Sequence, residues 1–395
     1  MSTANIAIIG AGPAGLTLAR LLQRKGIPVT VYEGEADRHT RNQGGSLDLH
    51  PKYGQKALSE AGLLNEFRKI ARPEGECIKL VDKDGNVLAD ENVDGNRRPA
   101  DDTDKPEVDR TALRDLLLDS VEPDTVQWGR RVDHIDSAAN GTHDVHFTNG
   151  TAATGITLLV GADGAFSKVR PLVTDVEPYY SGITMITQWV MEAPTKKPWL
   201  DKYVGAGSLM MFDEGRLVIC QRQSGDAVRT YASLRKPLSW SKECGIDWND
   251  GAAVRKALVD EYYSDCGEDI KRVLAECDDD AHLDMRHLYM LPIGLTWPSK
   301  PNVTLLGDAA HLMTPFGGVG VNAAMADSLG LAKALIAQKT NLHTQEGISR
   351  AIEAYEQDMF PRAEVFAKRT YDGLEHHFRA TGGQEWAEKF GGKKS

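Results

Sequence analysis

The feature that most constrains the fold of this chain is a glycine-rich turn near its amino terminus, Gly10-Ala-Gly12-Pro-Ala14-Gly15. The turn follows an apolar run, 6–9, and leads into a segment, 16–24, whose apolar side chains recur at helical spacing. A second apolar run at 28–32 completes a strand-helix-strand unit over residues 5–33. Parallel strands joined in this way need helices on both faces of their sheet. The sequence therefore predicts an α/β fold with a Rossmann-like dinucleotide-binding domain.

Each glycine of this turn has a chemical reason if the turn binds a pyrophosphate. Gly10 permits the tight turn, Gly12 lets the backbone approach the phosphates, and Gly15 brings the helix against the strand. The free N–H groups at the start of the helix, including that of Ala14, favour an anion. Glu33 ends the second strand, where its carboxylate can accept both hydroxyls of a ribose. The alternative is an ordinary turn followed by a surface glutamate, which the strand-helix-strand context disfavours.

A second turn, late in the chain, also follows an apolar run and carries an aspartate. In Leu305-Leu-Gly307-Asp308 the carboxylate stands at the carboxyl end of a strand, where open α/β sheets bind ligands. The glycine-rich segment 315–322 then opens a helix near Gly320, whose positive end favours an anionic group. Taken alone, Asp308 also fits a simple helix N-cap. His311 is better explained as a structural histidine than as a catalytic base.

Two further signals are less specific. Asp163 lies in an Ala-Asp-Gly turn after the apolar run 156–160, and an Asp-Gly pair at a strand end is usually a simple turn. Arg110 and Arg114 are four residues apart on one predicted helix. They could reach a pyrophosphate or form a solvated basic edge, and the residues leave both interpretations open.

Composition excludes several classes of partner. The formal net charge of −11 argues against nucleic-acid binding, which depends on clustered lysines and arginines. The five cysteines (77, 220, 244, 266 and 277) contain no C-x-x-C pair, so reduced thiols and no metal site are expected. No run approaches the roughly 20 apolar residues of a membrane span, and the mean hydropathy is −0.38. We therefore expect a cytoplasmic protein without a membrane span.

The order of the patterns predicts two interleaved domains and a terminal helix. Strand signals dominate between about 177 and 290, with a helix at 251–264, and a buried strand returns at 301–308. We assign 1–75, 104–176 and 291–340 to the nucleotide-binding domain, and 76–103 and 177–290 to a second, mixed or antiparallel sheet that binds the substrate. A long carboxy-terminal helix over 341–380 is predicted to break or kink at Pro361.

The three motifs, G-x-G-x-x-G with a later glutamate, A-D-G, and G-D-A-A-H followed by P-x-x-G-x-G-x-N, resemble those of the class A FAD-dependent aromatic hydroxylases in the same order. The resemblance spans the chain. Within that family the sequence is most similar to the TetX-type tetracycline-inactivating monooxygenases. The segments that carry this closer similarity are 44–50, 54–55, 61–64, 104–110 and 309–316.

The resemblance implies FAD as the bound cofactor. It places the adenosine ribose on Glu33 and the pyrophosphate near Gly12 to Gly15 and Asp308. It also implies flavin contacts from Asp48 and Arg110, and an NADPH approach near Arg41. The full set of cofactor-binding residues that we predict is Gly10, Gly12, Ala14, Gly15, Glu33, Arg41, Asp48, Arg110, Arg114, Asp163, Asp308, Pro315, Gly318, Gly320, Val321 and Asn322.

The substrate side departs from the tetracycline subgroup at several positions. Gly34 stands where the subgroup has an arginine beside the ribose carboxylate. A substrate-binding glutamine of the subgroup falls at Thr187 or Gln188, and a slip of one residue in a strand reverses the face. Thr230 stands near the position of a substrate histidine. The substrate-binding residues that we predict are Thr187, Gln188, Met210, Thr230, Phe316 and Gly317.

The resemblance implies a monooxygenase in which NADPH reduces FAD, O2 forms a C4a-hydroperoxyflavin, and an electron-rich enolic or phenolic polycyclic substrate of the tetracycline type is hydroxylated. The flavin carries the chemistry, so no catalytic side chain is assigned. With one dinucleotide fingerprint, NADPH is expected to dock transiently, on a monomer. The alternatives are hydroxylation of another phenolic or polyketide metabolite, and flavin binding without turnover. An FAD halogenase is disfavoured because the chain lacks a W-x-W-x-I-P segment.

Overall fold

The computed structural model describes residues 4–40, 44–93, 104–278 and 283–391. Within these residues the strands are β1 (Ile6–Ile9), β2 (Thr30–Tyr32), β3 (Ser46–Asp48), β4 (Ile78–Val81), β5 (Val87–Asp90), β6 (Glu107–Asp109), β7 (Val126–Gln127), β8 (Val132–Ser137), β9 (His143–Phe147), β10 (Ala152–Ile156), β11 (Leu158–Gly161), β12 (Tyr179–Val190), β13 (Ser208–Asp213), β14 (Arg216–Arg222), β15 (Val228–Arg235), β16 (Asp284–Met290) and β17 (Val303–Leu305). The α-helices are α1 (Pro13–Gln23), α2 (Lys56–Ala61), α3 (Leu64–Ile70), α4 (Arg110–Ser120), α5 (Ala193–Lys196), α6 (Pro198–Val204), α7 (Trp240–Glu243), α8 (Gly251–Ala257), α9 (Glu268–Ala275), α10 (Asp308–His311), α11 (Gly320–Ala337), α12 (Gln345–His377) and α13 (Gly382–Gly391).

A parallel five-stranded sheet in the order β17-β11-β1-β2-β7 forms the first layer of the fold. Strands β1 and β11 are buried at every residue, as expected for uninterrupted apolar runs between two helical layers. Helix α1 packs against both α4 and α11. Because the strands are parallel, the turns that follow β1, β11 and β17 lie at the same edge of the sheet. The predicted α/β fold class is confirmed.

A mixed seven-stranded sheet in the order β16-β12-β15-β14-β13-β4-β5 forms the second layer. Its pairs are antiparallel except for β13 and β4, which run parallel. One face carries Ile186, Val218 and Val228, which pack against residues of α6, α8 and α9. The other face carries Ile183 and Leu217, which pack with Phe316 and with Leu374 of α12. This sheet therefore has a helix-covered face and a face directed toward the glycine-rich turn before α11.

Two shorter ladders complete the strands. Strands β8, β9 and β10 form a separate antiparallel sheet, and its β9–β10 hairpin turns at the predicted Asn149-Gly150 pair. Strands β3 and β6 pair antiparallel, which sets Asp48 directly opposite Glu107. Each of the two large sheets contains strands from separate parts of the sequence. The predicted domain boundaries stay a prediction. Among the described residues, no helix has the length and apolar character that a bilayer crossing requires.

The helices differ from the sequence interpretation at three places. Residues 54–70 have the pattern of one helix, but Gly62 divides them into α2 and α3; its φ of 73° is left-handed, and a Cβ there would overlap the guanidinium of Arg24. The terminal helix was predicted to break or kink at Pro361; the break is wrong, because α12 continues through this residue. Helix α13 was not predicted. It packs on the second sheet, where Trp386 contacts the ring of Phe212 at 5.5 Å between centroids.

Candidate active site

The first two glycine-containing turns touch directly. Gly10 has a φ of 107°, and a Cβ at this position would overlap the carbonyl oxygen of Ala162 in the Ala-Asp-Gly turn. The backbone ladder continues across the junction, since Ala162 donates its N–H to Ile9 at 2.8 Å and Gly10 donates to Tyr32 at 2.8 Å. Only glycine fits a left-handed backbone this close to another chain segment. The turn after β1 is therefore shaped by the turn after β11.

The absence of a side chain has different consequences at Gly12 and at Gly15. A Cβ on Gly15 would overlap the carbonyl oxygen of Gly10 and lie 3.1 Å from Ile8, so this glycine permits the packing of α1 on β1. A Cβ on Gly12 would meet no atom of the residues that the structure describes within 4 Å. Gly12 precedes α1 without a side-chain cap, and the N-terminal N–H groups of that helix are free for an anion. The open space over Gly12 fits a pyrophosphate.

Glu33 and Arg114 both form hydrogen bonds with the backbone of this turn. Glu33 accepts hydrogen bonds from the N–H of Ala11 at 2.8 Å and of Glu35 at 2.9 Å. Arg114 is 3% exposed, donates from Nε to the carbonyl of Ala11 at 3.2 Å, and forms an ion pair with Glu35 at 2.8 Å. Its Nη1 atom is also shielded from solvent. Arg114 therefore positions the turn from the protein side, and its predicted contact with the cofactor stays a prediction.

Asp163 and Arg170 connect the second turn to the third. Asp163 accepts the N–H of Lys168 at 2.7 Å, which ties it to its own loop, and burial raises the pKa of its carboxyl. Arg170 donates to the carbonyl oxygens of Ala309 at 2.8 Å and Asp308 at 3.2 Å. The prediction had no role for Arg170, because its partners are backbone atoms far along the chain.

The third turn is anchored by buried charges beneath it. Asp327 accepts the N–H of Gly307 at 2.9 Å, the imidazole Nε2 of His311 at 2.6 Å and the guanidinium of Arg362 at 3.1 Å. Burial alone would lower the pKa of His311, but the Asp327 carboxylate beside it raises that pKa overall. His311 is thus bound within the protein, in agreement with its interpretation as a structural histidine. Asp308 remains exposed to solvent, while the surrounding protein raises the pKa of its carboxyl by desolvation, as for a carboxyl in a concave surface.

The residues expected to surround the flavin ring lie at the start of α11. Pro315 and Gly318 are exposed, Gly320 and Val321 are half-buried, and Asp48 lies 3.7 Å from the Cβ position of Gly318. This segment forms an accessible face at the positive end of an 18-residue helix.

Asn322 plays a different part from the one predicted for its side chain. The residue is fully buried, and its Oδ1 accepts the N–H groups of His50 at 2.8 Å and Gly54 at 3.3 Å. Its Nδ2 donates to the carbonyl of Asp48 at 2.8 Å. Asn322 therefore joins α11 to the strand that carries Asp48, and a contact with the cofactor would come from its backbone.

Arg110 and Arg41 complete the predicted cofactor residues. The N–H of Arg110 donates to the carbonyl of Gly45 at 3.0 Å, at the start of α4. Arg41 lies outside the described residues.

The register of the second sheet separates the predicted substrate residues. Thr187 pairs with Tyr231, and this row continues through Ile219 to Met210, on the face that packs toward Phe316.

Gln188 pairs with Thr230, and this row continues to Cys220 on the helix-covered face. Gln188 and Thr230 therefore lie on the face opposite to that of Phe316, and their predicted contacts with the substrate stay a prediction. Gly317 packs against α12, since a Cβ there would overlap the hydroxyl of Thr370.

A buried arginine between aromatic rings was missed by the sequence interpretation. Arg229 is 6% exposed, and its guanidinium carbon lies 4.6 Å from the ring centroid of Trp189 and 5.0 Å from that of Tyr231. Its Nε has no hydrogen-bond partner among the described residues, and burial lowers its pKa. The guanidinium lies against Gly44 and Gly45, just before the strand of Asp48. The Arg-x-Tyr spacing at 229–231 was the available signal, because alternate strand residues share a face.

Glu107 is a second missed residue. Its carboxylate accepts a hydrogen bond from the hydroxyl of Ser46 and lies opposite Asp48 on the β3–β6 ladder. Burial, with the nearby charge of Asp48, raises the pKa of Glu107 to about 7. A carboxyl that titrates near neutrality beside the expected flavin site makes the electrostatics of this site sensitive to pH.

The same arrangement of sheets occurs in proteins of known structure. HpxO from Klebsiella pneumoniae, solved in complex with FAD and uric acid, aligns with a TM-score of 0.76 and 23% identity over 98% of this chain and 92% of that chain. The tetracycline destructase Tet(51) aligns with a TM-score of 0.70 and 21% identity over 99% of this chain and 95% of that chain. At these identities the similarity concerns the fold.

Comparison of the sequence with known proteins identifies the family. The profile of the FAD binding domain family matches residues 3–370. Monooxygenase penA from Penicillium thymicola is 33% identical over an alignment 418 positions long, which covers 93% of this chain and 94% of that protein. The similarity to tetracycline-inactivating enzymes is thus supported at the level of fold, whereas this fungal monooxygenase shares more of the sequence. The residues fit FAD, since Gly12 leaves open space at a helix start and the three turns meet at one sheet edge. The chain belongs to the FAD binding domain family and is a class A FAD-dependent monooxygenase.

Proposed function

We propose that this protein uses NAD(P)H and O2 to hydroxylate an electron-rich enolic or phenolic polycyclic molecule. The observation that carries the proposal is the meeting of the aspartate turn, the N-terminus of α11 and one face of the second sheet around Phe316. Bound FAD supplies the redox chemistry, accepting electrons from the nicotinamide and activating oxygen. The remaining work, which is binding, orientation and exclusion of water, falls to the side chains of this chain.

The cofactor-binding half of the proposal assigns one group of the protein to each part of FAD. The Glu33 carboxylate would bind the adenosine ribose, and the open backbone at Gly12 would bind the pyrophosphate. The N-terminal N–H groups of α11, after Gly318, would face the flavin ring and favour negative charge on it. Asp48 adjoins this segment from the β3 side, and Arg110 follows β6, the partner strand of β3.

The substrate half rests on the composition of the sheet face. Phe316, Met210 and Ile219 present apolar surface, which would exclude water from a substrate bound beside FAD. Arg229 adds a buried positive charge between Trp189 and Tyr231. A cation held in a low-dielectric site stabilises an anionic oxygen strongly, so an enolate or phenolate is the form of substrate that this surface favours. Aromatic walls suit a flat, polycyclic molecule.

The narrow form of this proposal names tetracycline as the substrate. It is supported by the fold shared with Tet(51) and by the motif segments at 44–50 and 309–316. The positions that depart from that subgroup, Gly34 and Thr230, favour the broader form, in which another phenolic or polyketide metabolite is the substrate. NADPH docks transiently on a monomer in either form.

The test is steady-state oxidation of NADPH, and in parallel NADH, by FAD-loaded protein with tetracycline and a panel of polycyclic phenols. We expect one class of substrate to accelerate the oxidation and to yield a product heavier by one oxygen atom in mass spectrometry. H2O2 is measured at the same time, because uncoupled turnover consumes NADPH without a hydroxylated product. Yellow, FAD-bound protein that oxidises NADPH at the same rate with and without every compound would indicate a flavin-binding protein without turnover.

The Gly12→Ala variant is the control for a folded but cofactor-poor protein in this assay. If only phenols other than tetracycline are hydroxylated, the broad proposal stands and the narrow one is rejected.

A further inference from the structure

The outer face of the β8–β9 hairpin gathers three metal-binding side chains. His134 of β8 and His146 of β9 are directly paired across the strands, and Asp136 is two residues along from His134 on the same face. One ligand atom from each of the three residues lies within 4.8 Å of the others. The opposite face of the hairpin is buried, and Val145 and Phe147 on it pack into the hydrophobic core. The cluster is separate from every residue assigned to the cofactor or the substrate.

Two distances within this cluster can be compared with those of a coordination sphere. The Asp136 carboxylate oxygen lies 3.3 Å from Nε2 of His146 and 3.9 Å from Nε2 of His134. Around a tetrahedral Zn²⁺ with ligand bonds of about 2.0–2.1 Å, neighbouring ligand atoms are about 3.4 Å apart. The first distance already fits. The second requires a shift of roughly half an ångström, which exposed side chains can make by rotation about their χ angles.

A fourth residue prepares one histidine for metal binding. The Asp133 carboxylate lies 2.9 Å from Nδ1 of His134. When Nδ1 carries the proton and donates it in this hydrogen bond, Nε2 presents its lone pair to the cluster. A carboxylate behind a histidine ligand is the usual arrangement at protein metal sites, because it fixes the tautomer and raises the basicity of the ligating nitrogen.

The rings of the two histidines stack face to face, with centroids 4.4 Å apart and planes inclined by 4°. The nitrogen lone pairs lie in these nearly parallel planes, so binding of one ion by both imidazoles requires a rotation of at least one ring about its side-chain torsions. Both side chains lie on the outer face of the hairpin, with His134 exposed and His146 half-buried, which leaves room for this rotation.

We propose that His134, Asp136 and His146 bind a divalent transition-metal ion such as Zn²⁺, with water completing the coordination. Two imidazoles and one carboxylate favour Zn²⁺, Cu²⁺ or Ni²⁺ over Mg²⁺ and Ca²⁺, which prefer oxygen ligands alone. The ion joins the two strands of the hairpin. Since Phe147 on the inner face contacts Tyr32 of β2 at 5.1 Å between ring centroids, a metal here stabilises the hairpin against the nucleotide-binding sheet. The site takes no part in the redox reaction.

The experiment is a calorimetric titration of full-length, FAD-loaded, EDTA-treated protein without a histidine tag, with ZnCl2 as the probe. We expect one Zn²⁺ per chain and no heat from MgCl2. The variants His134→Asn and His146→Asn should each weaken binding at least ten-fold. The variant Asp133→Asn, which keeps all three ligands, should weaken it by roughly 10–100-fold. The matched control is His343→Asn, an exposed histidine outside the cluster, which should bind Zn²⁺ like the parent protein.

Thermal unfolding provides a second readout that does not depend on enzyme activity. Zn²⁺ should raise the Tm of the parent protein and of His343→Asn, and should leave the Tm of His146→Asn unchanged. Because the mutated side chains are exposed or half-buried, the variants are expected to fold with the parent Tm in EDTA. Equal Zn²⁺ affinity in the parent protein and His146→Asn, or no saturable binding in either, overturns the proposal.

Discussion

The carboxylate of Asp327 and the imidazole of His311 lie 2.6 Å apart beneath the aspartate turn, and both are buried. The same carboxylate accepts the N–H of Gly307 and pairs with Arg362 of α12. The Asp327 carboxylate of α11 therefore joins the backbone of the aspartate turn to α12. Breaking a buried ion pair leaves an uncompensated charge in a low-dielectric interior.

Replacement of Asp327 by Asn should lower the free energy of unfolding by about 3–5 kcal/mol, because His311 and Arg362 lose their common partner. The affinity for FAD should fall with it, since Gly307 precedes Asp308. Urea unfolding and flavin fluorescence titration measure the two effects. The control is Asp358→Asn, which removes the exposed partner of Arg362 and should cost less than about 1 kcal/mol. An unchanged stability in Asp327→Asn would show that the buried network is not required.

The two glycines of the first turn give a matched pair of variants. Gly15→Ala should destabilise the protein by roughly 1–3 kcal/mol, since its Cβ overlaps the Gly10 carbonyl and overpacking distorts the turn. Gly12→Ala places its Cβ in open space, so it should change stability by less than about 1 kcal/mol. It should nevertheless weaken FAD binding at least ten-fold, because the methyl group occupies the position of the pyrophosphate. Tight FAD binding by Gly12→Ala would contradict the assignment.

Glu107 makes the stability depend on pH. Its pKa is about 7 in the folded protein and 4.5 in the unfolded chain, so the folded state retains a proton that the unfolded state loses. The stabilising contribution is complete below pH 4.5 and is lost as the pH rises to 7. At about 1.4 kcal/mol per pKa unit, the loss amounts to at most roughly 3 kcal/mol.

Glu107→Gln should remove this pH dependence. Chemical denaturation at pH 5 and pH 8 should show that the variant gains stability relative to the parent protein at the higher pH. The exposed Glu66→Gln serves as the control. Parallel stability profiles for Glu107→Gln and the parent protein would indicate that the carboxyl titrates normally.

Arg229 should act on the substrate and not on the cofactor. Arg229→Gln removes the buried charge, and a hydrogen bond to a charged group contributes about 1.5–3 kcal/mol, so kcat/KM for a phenolic substrate should fall roughly 10–100-fold. FAD affinity should stay within about two-fold of the parent value, because no FAD-binding residue that we assign depends on this guanidinium. Arg350→Gln, on the exposed side of α12, is the control. A parallel loss of FAD would place Arg229 in the cofactor site.

Gln188 tests the register of the second sheet. It is 1% exposed on the helix-covered face, and neither amide atom has a hydrogen-bond partner among the described residues. Gln188→Met keeps the shape and removes the unsatisfied groups, so stability should rise by about 1 kcal/mol while KM is unchanged. Thr187→Val, one residue away on the Phe316 face, should instead change KM. A raised KM in Gln188→Met would reverse our assignment of the faces.

The motifs that follow strands were predictable because their signal is local. The turn at 10–15 and the aspartate at 308 each come with the strand before them and the helix after them in the sequence, and the parallel order of the sheet brings them together. The start of α11 near Gly320 was also predictable, because the glycine-rich segment 315–322 leads into it.

The features that could not be predicted from the sequence depend on contacts between distant segments. Thr187 and Gln188 differ only in which face they occupy, and this depends on pairing with β15, which no local pattern fixes. The roles of Arg114 and Arg170 depend on backbone carbonyls more than 100 residues away. The continuous passage of α12 through Pro361 shows tertiary packing overriding a local preference.

The place of β17 beside β11 has a consequence for how this protein is made. β1 begins at Ile6, whereas β17 begins at Val303, so the ribosome must complete most of the chain before the parallel sheet gains its last strand. Until then the edge of β11 is unpaired and able to join another chain. An amino-terminal fragment that stops before Val303 keeps the first glycine turn but lacks both Asp308 and α11. Flavin uptake is therefore a late event in biosynthesis, and premature termination should yield colourless, aggregation-prone fragments.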